Sequence, residues 1–233
     1  MADLVKGRKI GITGGLHSRL SAKQMLDKDT PARPVTEMPH RIVVIADFSG
    51  SMDSSSGTGT QKTKMECLKD GIQDFALRSD PTTTAIAVES FPSGFRIDLT
   101  TDNQQVMLRM YGASTLGDTP MGTGLSVGLQ MHSPTRGLLI SDGEATDGDA
   151  SYDQARIYRE REIPIDCVHI GTSSGGEERL KKIAEITGGM YLKFRDSVSF
   201  SESFHFLLPE SREQIAGMLP YERAKLLGAD ESR

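Results

Sequence analysis

The chain has 233 residues, 36% hydrophobic and 25% charged, which is enough for one ordinary domain with a real core plus appendages. A net charge of −5 without a basic stripe excludes the usual footprint of a nucleic-acid binder. No segment approaches the roughly 18 apolar residues of a membrane span, and the start, MADLVKGRKIGITGG, lacks the apolar run of a secretory signal, so the expected setting is the cytoplasm.

Residues 1–40 read as an N-terminal extension. Lys6, Arg8 and Lys9 make a short solvated basic stretch, residues 9–13 a candidate strand and residues 20–26 a candidate short helix. From Arg41 strands and helices alternate. Residues 42–46 (IVVIA) are a continuous apolar, β-branched run, the pattern of a strand buried on both faces of a parallel sheet. A polar loop follows, and its 54–61 stretch (SSSGTGTQ) is expected to be a mobile rim. The next helix opens on a capping-box signature, Thr63 with Glu66 three residues on, and Met65, Leu68, Ile72, Phe75 and Ala76 keep helical spacing on one face. Residues 85–91 and 95–100 read as strands joined by Pro92-Ser93-Gly94, a connection too short for anything but antiparallel neighbours.

Residues 102–111 are a helix candidate. So are residues 120–131, with Pro120 at the first helical position. Residues 137–141 (GLLIS) form the next buried strand. A helix at 152–162, a strand at 163–170, a helix at 177–187, an edge strand at 190–194 and a helix at 200–208 complete the pattern. The tail 209–233 carries one more short helix, near 221–227. Alternating strands and helices predict a mostly parallel sheet with helices on both faces, and ligands in such sheets sit beyond the carboxyl ends of the strands. Cys67 and Cys167 are expected to be buried, reduced thiols.

The loop after IVVIA reads Asp47-Phe48-Ser49-Gly50-Ser51-Met52. Oxygen-bearing side chains alternate at Asp47, Ser49 and Ser51, and in an extended loop side chains two apart converge. Carboxylate and hydroxyl donors suit Mg2+, Mn2+ or Ca2+ rather than Zn2+, and no zinc-type His or Cys spacing accompanies them. Three enzyme patterns are weaker. Gly124-Leu125-Ser126-Val127-Gly128 matches a nucleophile elbow but falls inside a predicted helix instead of between strand and helix. Residues 57–63 carry Gln61 where a P-loop needs glycine before its lysine. A metal-dependent phosphatase would need an Asp-x-Asp pair after a strand, and His132, His169 and His205 follow no ligand spacing. No catalytic residue is assigned, and the expectation is a binding protein, not an enzyme.

DFSGSM after a β-branched strand resembles the first motif of the von Willebrand factor type A (VWA) domain, with its metal-ion-dependent adhesion site. Residues 117–122 (GDTPMG) resemble the threonine loop of that family, and residues 138–144 (LLISDGE) its strand-plus-aspartate motif. The resemblance spans residues 41–208. It implies a three-layer α/β/α, Rossmann-like sandwich, strand order 3-2-1-4-5-6, with one antiparallel edge strand. It implies a metal site of Asp47, Ser49, Ser51, Thr119 and Asp142, with Ser49 and Ser51 direct ligands, Thr119 direct or through water, and the aspartates at least partly through water. The implied cofactor is Mg2+, or Mn2+ or Ca2+. The implied partner is another protein, whose acidic side chain completes the coordination; an AAA+ ATPase is one such partner. The rival readings are a structural VWA module with a non-functional metal site and a secreted adhesin-like domain. Asp118 departs from the family, where glycine is frequent. Asp53, Glu144, Asp147 and Asp149 add further acids near the site and are expected to be solvated loop residues.

Overall fold

Ile42 to Ala46 are all buried in β1 (His40–Asp47), the central strand of a computed structural model that describes residues 33–57, 61–194 and 207–209. The chain divides into two units, residues 1–33 and 34–233; all of the elements named here belong to the second. The side chains of β1 alternate between two core layers. Ile42, Val44 and Ala46 pack with α1 (Lys64–Arg78) and α2 (Asn103–Tyr111). Val43 and Ile45 pack with α3 (Met121–His132), α4 (Ala150–Glu160) and α5 (Ser174–Thr187). A strand apolar at every position thus serves both faces, as a strand inside a three-layer α/β/α sandwich must.

The sheet has six strands in the order β3-β2-β1-β4-β5-β6. These are β2 (Thr84–Phe91), β3 (Arg96–Thr100), β4 (Arg136–Ser141), β5 (Ile165–His169) and β6 (Tyr191–Lys193) around β1. Every pairing is parallel except β2 with the edge strand β3. The strand order reverses between β1 and β4, which opens a crevice at their carboxyl ends. Cys67 lies in the first layer and Cys167 in the second, both free and buried, with the sheet between them. Among the described residues no helix is long and apolar enough to cross a membrane.

The caps explain where several boundaries fall. Thr63 and Glu66 form the expected capping box at α1: the Glu66 N–H donates to Thr63 Oγ1 at 3.1 Å, and the Thr63 N–H to Glu66 Oε2 at 2.8 Å. α5 starts three residues before the expected 177, because Ser173 caps it by accepting from the Gly176 N–H. α4 starts at Ala150 instead of 152 and stops before Glu162, whose φ of 58° lies in the left-handed region and cannot continue a right-handed helix. Pro120 is the N-cap of α3, not its first residue. Of the expected helix at 200–208, residues 200–206 lie outside the described residues; Leu207 and Leu208 are buried in the first layer as turn and bend. The expected elements at 9–13, 20–26 and 221–227 also lie outside the described residues.

Two ion-pair groups tie the layers to the sheet. Buried Glu89 on β2 takes two hydrogen bonds from Arg96 on β3, at 2.8 and 3.3 Å, and faces His132 at the end of α3, 3.8 Å away. Burial, the largest influence, pushes the Glu89 carboxyl up, but His132 and Arg96 together outweigh it and hold it below its ordinary range. Glu177 on α5 pairs with Lys181, at 2.7 Å, and with Lys193 on β6. These two ammonium groups hold its pKa down to about 2. A carboxyl with a lowered folded pKa contributes stability above its unfolded value and loses it as pH falls toward the folded value. Because both lysines are substantially solvated, the expected contribution is about 1 kcal/mol, below the ~3 kcal/mol of a full shift. Urea unfolding of wild type and Glu177→Gln should therefore differ by about that amount at pH 7 and converge between pH 4.5 and 2.

Candidate metal centre

β1 ends on Asp47, whose side chain is buried. Ala46 pairs with Ile140, so the next step of the parallel register sets Asp47 beside Ser141. The Ser141 hydroxyl donates to Asp47 Oδ2 at 2.6 Å, and the Ser49 backbone N–H donates to Oδ1 at 2.9 Å. Burial is the largest influence on this carboxyl and pushes its pKa up to about 6; the Ser141 and Ser49 hydrogen bonds oppose the rise and the nearby Asp142 charge adds to it. Asp47 is thus an oriented carboxylate short of positive charge.

Ser49 is extended, but Gly50–Asp53 close into a 3-10 turn, so the expected extended loop ends at Ser49. The turn still brings Ser51 Oγ to 3.0 Å from Ser49 Oγ. The two hydroxyls share a hydrogen bond there, and at that spacing both oxygens could face one hard cation. Thr119 is buried in the loop before α3. Ser51 and Thr119 line one open cavity of about 450 Å³, shared with Gly143 and Glu144 after β4, Gly176 at the start of α5, and Arg179.

Main-chain hydrogen bonds join the three loops. The Gly50 N–H donates to Gly117 O at 2.9 Å, and the Leu116 N–H to Phe48 O. The Thr146 N–H donates to Thr119 O at 2.9 Å. The loop after β4 is fixed in turn by close packing between two glycines. Gly143 has φ +81°, and an added Cβ there would meet Gly176 O at 2.3 Å; a Cβ on Gly176 would meet Asp142 O at 1.9 Å.

Asp142, fully buried, follows β4 directly. Its Oδ1 accepts from the Glu144 N–H at 3.2 Å. Its Oδ2 takes an ion pair from Lys64 Nζ at 2.8 Å. Neither Lys64 nor Ser141 was singled out from the sequence. One signal existed for Lys64: a lysine in the first helical position opposes the helix dipole and calls for an anion nearby.

The other acids divide. Asp118, Glu144 and Asp149 are exposed. Asp53 is exposed but accepts from the Thr115 hydroxyl at 2.7 Å. Asp147 is not a solvated loop acid: its Oδ2 accepts from the Gly122 N–H at 2.7 Å, at the start of α3, while its Oδ1 is buried without a hydrogen-bond partner. The described flanks of the 54–61 stretch are tied together, Ser55 bridging Thr63 and the Ser56 N–H donating to Lys62 O at 3.1 Å; residues 58–60 lie outside the described residues. Ser126 sits within α3, and Gly124 and Gly128 let that helix approach Phe91 and Ile45. His132 faces Glu89, and buried His169 lies 3.3 Å from the Tyr191 hydroxyl; His205 is outside the described residues.

Among the described residues, no group of three or more His, Cys, Asp or Glu side chains is arranged to hold a metal ion. The donors gathered here are hydroxyls backed by two carboxylates, one of them short of positive charge, and that set fits a hard dication.

No protein-family model and no curated protein matches the chain. Solved structures do. An aerotolerance-related membrane protein from Bacteroides fragilis is 16% identical with a TM-score of 0.61, over 71% of this chain and 96% of that one. BatB from Bacteroides thetaiotaomicron is 16% identical with a TM-score of 0.61, over 77% and 100%. The VWA domain of SpRpn10 is 15% identical with a TM-score of 0.57, over 74% and 96%.

Gly176→Ala should lower stability by about 2–3 kcal/mol, read as a shift of the urea midpoint, because the loop bearing Asp142 must move to admit the methyl group. Gly148→Ala, at a positive-φ glycine with open space around it, is the comparison and should cost about 1 kcal/mol. Such likeness, at these identities, establishes the architecture: the chain has a VWA-like α/β fold.

Proposed function

We propose that the chain is a metal-ion-dependent protein-binding module. In this reading a divalent cation, Mg2+ or else Mn2+ or Ca2+, is held by Ser49, Ser51 and Thr119, with Asp47 and Asp142 supplying negative charge at least partly through water. Such a cation would supply Lewis acidity, which a carboxylate oxygen of a partner protein could satisfy. The observation that carries the reading is the meeting of the two serine hydroxyls, 3.0 Å apart, beside the buried Asp47 carboxylate at the sheet's switch point. Nothing in this chemistry calls for a nucleophile or a general base, so the module binds and does not catalyse.

The chain's own residues supply three things. Ser141 and the Ser49 N–H fix both oxygens of Asp47, so that its charge has one orientation. The glycine contact between Gly143 and Gly176 holds the Asp142 loop against α5. The cavity beside Ser51 and Thr119 is wide enough for a side chain to enter. The partner is a protein carrying an exposed Asp or Glu, and an AAA+ ATPase-associated assembly is one setting the resemblance to VWA domains admits. The second reading, a structural module without an ion, is favoured by the Lys64 ammonium already on Asp142.

Isothermal titration with Mn2+ separates the two. Wild type should bind one ion, and Ser49→Ala should weaken binding by about tenfold to a hundredfold while the metal-free chain still folds, with stability lowered by about 1 kcal/mol for the lost buried hydroxyl. Affinity purification with the full chain should recover a partner in Mg2+ and lose it in EDTA. A folded wild type that takes up no Mn2+ refutes the metal-dependent reading.

A further inference from the structure

Lys64 occupies the first position of α1, directly after the Thr63 cap. A cation there faces the positive end of the helix dipole, an unfavourable place for it without a compensating anion. The anion is Asp142, whose Oδ2 lies 2.8 Å from Lys64 Nζ; the lysine side chain is 13% exposed and the aspartate 0%. The lysine stem has a prepared slot. It runs over Gly171, where an added Cβ would come within 3.1 Å of Lys64 Cε and 3.6 Å of Nζ. The Lys64 N–H donates to Ser54 O at 2.9 Å, which pins its backbone to the segment that follows Ser49 and Ser51. Three separate segments therefore hold one ammonium group over one of the two carboxylates of the centre.

We infer that Lys64 is an internal counter-ion that sets the cation affinity of this centre, by neutralising Asp142 so that a dication binds more weakly than the oxygen donors alone would allow. This rests on the metal-binding reading. Two carboxylates and one ammonium leave the centre a formal charge of one negative unit where the donors alone would give two. Affinity at oxygen-donor sites follows the charge count of the ligands, and an ammonium this close repels the incoming ion through a medium that screens poorly. The same deficit leaves more of a bound ion's charge uncancelled, and an acidic side chain from outside can then satisfy it. Lys64 thus makes the ion and the anionic ligand depend on each other.

Mn2+ titrations on the full chain test this with wild type, Lys64→Met and Lys64→Arg, each checked for folding by thermal unfolding. Lys64→Met should bind Mn2+ about tenfold more tightly than wild type, since one repelling charge is gone. Lys64→Arg keeps the charge and should stay within about threefold of wild type. Should Lys64→Met fail to fold, Lys64→Gln, which retains a donor for Asp142, takes its place with the same expectation. Equal or weaker binding by the folded neutral variant overturns the inference and leaves the metal reading standing. Tight binding by Lys64→Arg as well overturns it too, because charge would not be the cause. No uptake by any of the folded proteins refutes the metal reading itself, and the inference with it.

Discussion

A carboxylate at the end of the central strand, enclosed by protein on all sides, is the constraint around which this domain is arranged. Asp47 stands where β1 leaves the core, and burial raises its pKa to about 6. An ionised group there is costly unless each oxygen has a donor and some cation lies near. The neighbouring strand contributes the Ser141 hydroxyl and the following turn contributes the Ser49 N–H. The ammonium of the first residue of α1 goes instead to the second carboxylate, Asp142. Sheet register and turn geometry are both drawn into the solvation of one side chain.

The layers around that strand were legible because their physics is periodic. IVVIA predicted a strand covered on both sides, and its odd and even residues do feed different core layers. The capping box at Thr63 and the antiparallel turn after β2 follow from equally local rules. Boundaries were less legible where the deciding residue carried no unusual letter. Glu162 ends α4 by adopting a left-handed φ, which its identity does not announce. Ser173 starts α5 early through a cap that the glycines after it disguised.

The oxygen-bearing side chains of the candidate site stood out in the sequence, and their surroundings did not. Asp47, Ser49 and Ser51 stand out by spacing, and Thr119 and Asp142 enter through the resemblance to VWA motifs. Ser141 looked like the last residue of that strand; its partnership with Asp47 depends on the register of two strands nearly a hundred positions apart in the chain. Lys64 looked like an ordinary helix lysine until α1 was seen to start beside β4's carboxyl end. Asp147 looked like a loop acid, yet it serves the first turn of α3. Spacing along a chain reports which atoms are available, whereas pairing between distant segments decides what each atom faces.

The hydrogen bonds that join the three loops run from main chain to main chain: Gly50 to Gly117, Leu116 to Phe48 and Thr146 to Thr119. They are indifferent to which side chains those loops carry. The scaffold and the hydroxyl and carboxylate oxygens it presents can therefore diverge separately in descent. A lineage can exchange a hydroxyl here or an acid there and retune, or silence, the centre while inheriting the same frame intact.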